Sequence, residues 1–335
     1  MIKEMAYPSN MEATKKPIYL LVNFGGPRSL EEIPEFLTCL LSDRDVIRTR
    51  FPAFFHNWFF GRVAKKRAFT LAKDYELIGG KSPIYFDTET LAKLLETQLQ
   101  TPVYTFHRYL PATHRESLRR IGQAKSLTVL PLFPQFCYAT TGSVARFLAP
   151  YFPKELQWVP SYATHPCFIA SYQKRISQFL WEHHLLESET LLFFSAHGVP
   201  QRFVDEGDPY EQECCATYEA IMKGFLKAAS ILAYQSKFGK GEWLKPYTDE
   251  TCHNILLWNK GRKNVVMVPM SFTSDHIETL FEVEKLYLPI LASKGLRAFR
   301  CPALNLEPYW IDALLEILQT QELVPTAMLI RKAVP

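Results

Sequence analysis

Residues 191–198 read LLFFSAHG, a short apolar run that ends in a histidine and a glycine. Comparable runs rich in β-branched and aromatic residues recur along the chain, with helix-like stretches between them. The clearest are residues 18–23, 127–133 and 265–270, and weaker ones are residues 103–106, 157–160, 231–235 and 297–301. This alternation is typical of βαβ units and parallel sheets. It predicts an α/β protein of two similar domains, each built on a doubly wound parallel sheet of about four strands.

Helical periodicity completes the predicted organisation. It is plain at residues 30–41, 88–99, 211–229 and 275–288. Ser274 precedes the last of these stretches and is predicted to cap its first turn. Proline, serine and small residues at positions 160–166 follow a candidate strand and indicate a domain boundary. We expect an N-terminal domain over residues 16–163 and a C-terminal domain over residues 164–325, with the last helix packed back on the first domain.

The composition limits the partners and the compartment. Of 335 residues 47% are hydrophobic, and 38 basic against 34 acidic residues leave a formal charge of +4. This balance is too even for a surface that follows phosphates, so nucleic acid is not an expected partner. Seven cysteines lack zinc or redox spacing and are expected to be reduced thiols in the cytoplasm. We expect neither a signal peptide in residues 1–16 nor a membrane-spanning helix.

An aromatic segment between Phe51 and Phe60 qualifies this expectation of a water-soluble protein. Six aromatic residues crowd into these ten positions, and basic residues flank them. Two interpretations stay open. The segment is either packed core, or an apolar lip that touches a membrane peripherally or holds an apolar ligand.

The loops after the clearest strands are the first candidates for a site, because ligands of open α/β sheets bind beyond the carboxyl ends of the strands. Residues 23–28 read NFGGPR, and Gly25 and Gly26 would let the backbone approach a flat ligand closely. Neither a dinucleotide fingerprint nor a P-loop is present, which argues against a nucleotide-dependent oxidoreductase. Residues 134–143 combine aromatic rings with hydroxyls, which helix capping alone could explain.

The two later loops carry the titratable groups. His197 ends the opening run, where an imidazole can exchange protons near neutral pH or ligate a metal. Residues 271–282 read SFTSDHIETLFE and run from a strand into a helix. Asp275, Glu278 and Glu282 fall at i, i+3 and i+7, so a regular helix presents all three carboxylates on one side. Such a set could conduct a divalent cation and accept protons; the alternative is a solvated acidic face at a helix start.

Taken together, these motifs resemble those of the ferrochelatases, of the bacterial type of this protohaem ferro-lyase family, over nearly the whole chain. In chain order they are LVNFGGP (21–27), IGGKSPI (78–84), SAHG (195–198), QSKFG (235–239) followed by Trp243 and TDE (248–250), and TSDHIETL (273–280). Each is weak alone, but their number and order make the resemblance specific. It implies insertion of ferrous iron into protoporphyrin IX to form protohaem, the final step of haem biosynthesis. It also implies two Rossmann-like domains with the porphyrin in the cleft between them.

The resemblance and the chemistry together assign roles to single residues. His197 and Glu278 are implied as the catalytic pair at the iron site, and Asp275, His276 and Glu282 as a path for iron and protons. The residues implied in porphyrin binding are Phe24, Lys66, Arg67, Tyr75, Ser82, Arg108, Tyr109, Trp243 and Phe272. Metallation removes both pyrrole protons while iron sheds water, so a proton acceptor, carboxylates and an apolar cleft that bends the ring are needed together.

The sequence departs from part of the family at its cysteines. Some members hold an iron–sulfur cluster on one internal cysteine and three near the C-terminus. Here the last cysteine is Cys301, and Tyr138 occupies the internal position with Cys137 beside it. We therefore expect no cluster and no other cofactor, with porphyrin and ferrous iron as substrates.

Two alternatives stay open. The chain could act on coproporphyrin III, or it could bind tetrapyrroles without turnover. The sequence also leaves open the oligomeric state, the route of iron entry, and whether His197 accepts a proton, binds iron or does both.

Overall fold

The computed structural model describes residues 17–122, 124, 126–152, 156–239 and 241–331. The strands of this described part are β1 (Ile18–Asn23), β2 (Val103–His107), β3 (Leu127–Pro131), β4 (Gln157–Trp158), β5 (Thr190–His197), β6 (Ala229–Gln235), β7 (Asn264–Pro269), β8 (Arg297–Arg300) and β9 (Val324–Pro325). They form two mainly parallel sheets, which confirms the predicted α/β class. The expected absence of a signal peptide concerns residues 1–16, which lie outside the described residues.

The first sheet has the strand order β2-β1-β3-β4-β9. β1 pairs in parallel with both neighbours, so that Leu20 lies opposite Tyr104 on one side and Val129 on the other. β9 runs antiparallel to β4, and the chain therefore returns to this sheet after completing the second one. All eight predicted strands are present. β9 was not predicted, because two residues ending in proline show no alternation.

The second sheet is parallel throughout its described strands, in the order β6-β5-β7-β8. β5 is central, and all its residues before His197 are buried. A strand covered on both faces reads as a continuous apolar run, which explains the opening sequence pattern. Each fully buried leucine or phenylalanine contributes roughly 1.5–3 kcal/mol, so this strand is a main source of stability.

Helices cover the sheets and connect the strands. They are α1 (Ile33–Ser42), α2 (Ala53–Glu76), α3 (Pro83–Leu99), α4 (Pro111–Ile121), α5 (Ser143–Leu148), α6 (Pro166–Glu182), α7 (Gln201–Asp205), α8 (Tyr210–Met222), α9 (Thr248–His253), α10 (Leu288–Ser293), α11 (Pro308–Thr320) and α12 (Thr326–Leu329). Two π-helical segments, Tyr138–Gly142 and Glu278–Tyr287, precede α5 and α10.

Two helix predictions are wrong in detail. The helix predicted over residues 211–229 ends at Met222, because a turn containing Gly224 leads directly into β6. Ser274 does not cap the helix predicted over residues 275–288. That helix begins with the π-helical turn at Glu278, and Ile277 occupies the position before it.

The two sheets share an apolar core. One cluster of buried side chains joins Leu21 and Leu130 of the first sheet to Leu192 and Val266 of the second. Trp310 of α11 belongs to the same cluster, and α11 packs against both α6 and α3. The loops at the carboxyl ends of both sheets are therefore held against each other by a common interior.

Candidate active site

His197 lies at the carboxyl end of β5, and its orientation is fixed by its neighbours. Its Nδ1 atom donates to the carbonyl of Gly198 at 2.6 Å, and its Nε2 atom lies 3.5 Å from Glu278 Oε1. A Cβ atom on Gly198 would lie 2.9 Å from the carbonyl oxygen of Gln235, so glycine is required beside the histidine. The His197 side chain remains 35% exposed, which leaves one side of the ring open to a ligand.

Glu278 opens the π-helical segment Glu278–Tyr287, in which hydrogen bonds run from i to i+5. The same segment presents Glu282, whose Oε2 atom accepts from Ser236 at 2.7 Å. Gln235 donates to the Glu278 carbonyl at 3.1 Å and to Glu282 Oε2 at 3.4 Å. The end of β6 therefore holds the start of the π-helix in place through the Glu278 backbone and also contacts the Glu282 carboxylate.

His276 provides a second imidazole on the other side of Glu278. Its Nε2 atom lies 3.6 Å from Glu278 Oε2, and its Nδ1 atom donates to the Ser274 carbonyl at 3.1 Å. The Oε2 atom of Glu278 is buried and has no hydrogen-bond partner. The Phe272 ring packs on His276 with 4.2 Å between the centroids. One carboxylate thus lies between two histidines, with an unused oxygen lone pair beside them.

These contacts set the protonation states. Burial opposes the charged imidazole of His197, but Glu278 and Glu282 raise the pKa of His197 to about 9. Burial opposes the charged carboxylate of Glu278, but His197 and His276 hold the pKa of Glu278 well below its usual range. Burial and the charge of Glu278 raise the pKa of Glu282 to about 7. Near neutral pH a protonated His197 therefore faces an ionised Glu278, and Glu282 exchanges its proton readily.

Asp275 has different contacts from the two glutamates. Its carboxylate is paired with Arg300, with 2.9 Å between Oδ1 and Nη1, and it accepts from the Asn305 amide at 2.9 Å. A regular helix would have placed it in line with Glu278 and Glu282. The structure instead leaves it in the turn before the π-helix.

Aromatic rings follow the strand ends of both halves. Phe272 is 6.1 Å from His197 between ring centroids, and Trp243 lies against Gly198. From the first half, Phe24 packs on Tyr109 at 5.1 Å and on Phe133 at 4.9 Å. These rings provide apolar surface at the carboxyl ends of both sheets.

The predicted pair Arg108 and Tyr109 is bound in a network of its own. The Arg108 guanidinium and the Tyr109 hydroxyl both donate to Asp43 Oδ2, at 2.7 and 3.0 Å. Ser143 donates to the same oxygen at 2.5 Å. Tyr109 is fully buried behind Phe24, so it supports that ring rather than facing the open side. Sequence reasoning missed Asp43, and it saw Ser143 only as a helix cap.

The predicted propionate region lies on and after α2. Lys66 is exposed, and the Arg67 guanidinium stacks over Phe238 of the second half at 4.4 Å. Tyr75 and Ser82 are buried. Ser82 packs against the glycine loop, since a Cβ atom on Gly26 would lie 2.5 Å from Ser82 Cβ. Burial, with a smaller effect from Glu278, raises the pKa of Tyr75.

The aromatic segment is an exposed lip for the most part. Five of its rings are between 38% and 77% exposed, namely those of Phe51, Phe54, Phe55, Trp58 and Phe59. Phe60 is buried against α1 and supports the helix. Within the described part of the chain, no helix combines the length and apolar character that crossing a membrane requires. Among the same residues, no group of three or more histidine, cysteine, aspartate or glutamate side chains is arranged to hold a metal ion.

Comparison with known proteins decides the family. A family model described as Ferrochelatase matches residues 19–322. The chain belongs to the ferrochelatase family. It is 44% identical to the ferrochelatase of Chlamydia abortus over 93% of this chain and 98% of that protein. It is 42% identical to the ferrochelatase of Chlamydia pneumoniae over 94% of this chain and 96% of that protein.

Membership of the ferrochelatase family establishes the activity in outline. The protein is an enzyme that inserts metal into a porphyrin for haem synthesis, with porphyrin and iron as substrates. The solved structure of SirB from Bacillus subtilis with Fe3+ superposes with a TM-score of 0.51 and 11% identity, covering 91% of this chain and 94% of that chain. This likeness shows the chelatase fold.

Proposed function

We propose that this ferrochelatase is a lyase that inserts ferrous iron into protoporphyrin IX, with His197 and Glu278 as its catalytic pair. The observation that carries the proposal is the 3.5 Å contact between His197 Nε2 and Glu278 Oε1 beside the Phe272 ring. A proton acceptor and a metal-ligating carboxylate then meet on an apolar surface that suits a flat macrocycle.

The charge balance suggests an order of events. In the free enzyme, His197 is protonated near pH 7 because Glu278 attracts its proton. Ferrous iron arriving at Glu278 would neutralise that carboxylate and lower the pKa of His197. The imidazole would then release its proton to Glu282 and be free to accept a pyrrole proton. Glu282 could pass each proton outward in turn because its pKa is about 7. Binding energy from the surrounding rings would offset the bending of the macrocycle.

The choice of protoporphyrin rests on the exposed lip. Protoporphyrin carries two propionates and an otherwise apolar rim, whereas coproporphyrin III carries four carboxylates. The exposed rings between Phe51 and Phe59 suit the apolar rim. Lys66 and Arg67 lie on the same helix and are candidates for the propionates.

The absence of an iron–sulfur cluster remains part of the proposal. The cysteine beside the internal position, Cys137, is buried and donates its thiol hydrogen to Asp208 at 3.3 Å. Burial and the neighbouring Asp208 raise the pKa of Cys137, which opposes the thiolate that a cluster needs. Seven unpaired cysteines also suit a reducing, cytoplasmic location.

Peripheral membrane contact through the lip is the last element. Exposed phenylalanines and a tryptophan flanked by lysines and arginines are the composition expected of a surface that inserts shallowly into anionic lipid. Such contact would bring the cleft to the phase in which an apolar porphyrin accumulates.

The test is anaerobic insertion of ferrous iron into protoporphyrin IX and, separately, into coproporphyrin III. We expect the larger kcat/KM with protoporphyrin. Preference for coproporphyrin would leave the catalytic pair in place and reject the assigned substrate. Tight binding of both porphyrins without metallation would reject turnover itself.

A further inference from the structure

The turn that precedes the π-helical segment is organised around the carboxylate of Asp275. Its Oδ1 atom accepts from Arg300 Nη1 at 2.9 Å, from the Thr279 hydroxyl at 2.8 Å and from the Ala303 backbone at 3.4 Å. Its Oδ2 atom accepts from the Asn305 amide at 2.9 Å. An ionised carboxylate offers roughly four acceptor positions. Three donors reach Oδ1 and one reaches Oδ2, so most of these positions are used inside the protein and not for iron or a travelling proton.

Asn305 grips the same turn from a second direction. Its side-chain oxygen accepts from the backbone of Asp275 at 2.8 Å, and its own backbone donates to the Thr273 carbonyl at 2.8 Å. It does this with φ at +48°, a left-handed conformation that asparagine tolerates better than most residues. Asn305 therefore fixes the backbone on both sides of Ser274 as well as the Asp275 carboxylate.

Arg300 connects the two ends of the segment. Its Nη1 atom contacts Asp275 before the helix, and its Nε atom donates to Glu284 within the helix at 2.8 Å. Arg300 and Asp275 are only 13% and 10% exposed in their side chains. His276 and Glu278 lie between these two anchor points. The backbone of His276 is held further by a 3.0 Å hydrogen bond to the Thr279 hydroxyl, which itself donates to Asp275.

We propose that Asp275 is a positioning residue for metal insertion and that Asn305 and Arg300 act through it. The network sets the distances from His276 and Glu278 to the reacting centre, and its charge is used for that purpose rather than for moving iron or protons. The inference rests on the roles proposed above for His276 and Glu278. It replaces the role in the iron and proton path that the sequence suggested for Asp275.

An exchange of the two partners separates positioning from direct participation. Asp275→Asn alone removes the charge, and Asn305→Asp alone places two carboxylates against each other. The double variant Asp275→Asn/Asn305→Asp restores one carboxylate and one amide with the hydrogen-bond directions reversed. Asn305→Gly removes the amide without straining a backbone at positive φ. Arg297→Gln is the matched control, because Arg297 is an exposed residue of the same strand as Arg300.

Steady-state kinetics would be measured separately for iron and for porphyrin, together with calorimetric Zn2+ binding to the porphyrin-free protein and thermal unfolding. We expect Asn305→Asp and Asp275→Asn to lower kcat roughly 10- to 100-fold and to weaken Zn2+ binding, as disrupted outer partners of metal ligands do. The KM for porphyrin should stay within about twofold of the native value, since the aromatic wall is untouched. The double variant should recover at least about tenfold of the loss, and Arg297→Gln should match the native enzyme.

A double variant as inactive as Asp275→Asn but with native Zn2+ affinity would overturn the proposal, because the carboxylate at position 275 would then act in the chemistry itself and not through the ligands that it positions. An Asn305→Gly protein with a lowered melting temperature and native kcat below that temperature would also overturn it, since the network would only stabilise the fold. If native protein metallates no porphyrin, the proposed function fails. The order of Zn2+ affinities among the variants then still decides the positioning role.

Discussion

The two halves of the molecule share a parallel-sheet design but carry different residues at the ends of their strands. After β1 and β3 of the first sheet come Phe24, the paired glycines and Phe133, which offer rings and close backbone approach. At the end of β5 and after β7 of the second sheet lie His197 and the segment with Glu278, which offer titratable groups. Under the proposed function, the first half would hold the flat ring and the second half would handle the ion.

The charges of the two halves differ in the same way. In the first half, Asp43 is matched to one permanent cation, Arg108, and accepts two further hydroxyl hydrogen bonds. In the second half, Glu278 is shared between two imidazoles at 3.5 and 3.6 Å, neither of which is permanently charged. A carboxylate with a fixed guanidinium partner maintains geometry, whereas one between histidines can change its charge state during a reaction.

The largest expected effect comes from removing the imidazole of the second half. His197→Ala should lower kcat for iron insertion by roughly 10²- to 10⁴-fold, the usual range for loss of a positioned acid or base. Porphyrin affinity should change little, because the rings around Phe24 remain. Stopped-flow turnover and porphyrin fluorescence titration measure the two quantities.

His253→Ala is the control for that experiment, since His253 is exposed at the end of α9. An equal fall in porphyrin affinity and kcat in His197→Ala would break the comparison, because the second half would then also be holding the ring.

The converse test concerns the glycine loop of the first half. In Gly26→Ala, the new methyl group would lie 2.5 Å from Ser82 Cβ and 2.8 Å from Ile84 Cγ2, so the loop must move. We expect a loss of about 1–3 kcal/mol in unfolding free energy and a raised KM for porphyrin, with kcat nearly unchanged. Chemical denaturation and steady-state kinetics check this.

Gly61→Ala is its matched control, because nothing lies within 4 Å of the added methyl group in α2. That change should stabilise the helix by roughly 0.5–1 kcal/mol. A lowered kcat with native KM in Gly26→Ala would mean that the first half takes part in the chemistry.

The sequence was sufficient for the sheets and insufficient for the active-site helix. Strands such as β5 can be predicted because burial on both faces requires an unbroken apolar run. The π-helical turn at Glu278 shows no such sign, since hydrogen bonding to i+5 or i+4 depends on tertiary contacts such as that from Gln235. Asp275 therefore does not share the contacts of the other two carboxylates in the predicted row, because it pairs with Arg300 and Asn305. These partners lie 25 and 30 residues further along the chain, so the sequence shows no sign of the contact.

The lip shows a second limit of sequence reasoning. Its six aromatic residues fit either a core or a surface, and only the packing of Phe60 beneath five exposed rings separates the two interpretations. Asp43 was missed for a related reason, because an aspartate after a helix looks like a surface residue until Arg108 and Tyr109 are placed around it.

A smaller effect is expected when a carboxylate of the second half loses its charge. Burial and Glu278 raise the pKa of Glu282 from 4.5 to about 7, so the folded state prefers the neutral acid. Ionising Glu282 therefore destabilises the folded state. This destabilisation is absent below about pH 4.5 and complete above about pH 7. Glu282→Gln should raise the unfolding free energy by about 1–3 kcal/mol at pH 8, and the gain should vanish at pH 4.5.

Chemical denaturation across this pH range measures that gain, with Glu250→Gln as the control because Glu250 is exposed on α9. A gain that persists unchanged at pH 4.5 would show that packing, and not the charge of Glu282, limits stability here.

The smallest effect on the stability of the folded protein is expected at the lip. A double variant there tests the two roles proposed for its exposed rings, membrane contact and binding of the porphyrin rim. Phe54 and Phe59 are 77% and 42% exposed, so Phe54→Ser/Phe59→Ser should change the unfolding free energy by about 0.5 kcal/mol or less per residue. Flotation with anionic liposomes should fall sharply, and the KM for detergent-dispersed protoporphyrin should rise while kcat stays within about twofold. Phe60→Ser is the contrasting variant, since that ring is buried and its removal should cost about 3–5 kcal/mol. Unchanged flotation would end the membrane role, and an unchanged KM for protoporphyrin would reject these rings as contacts of its apolar rim.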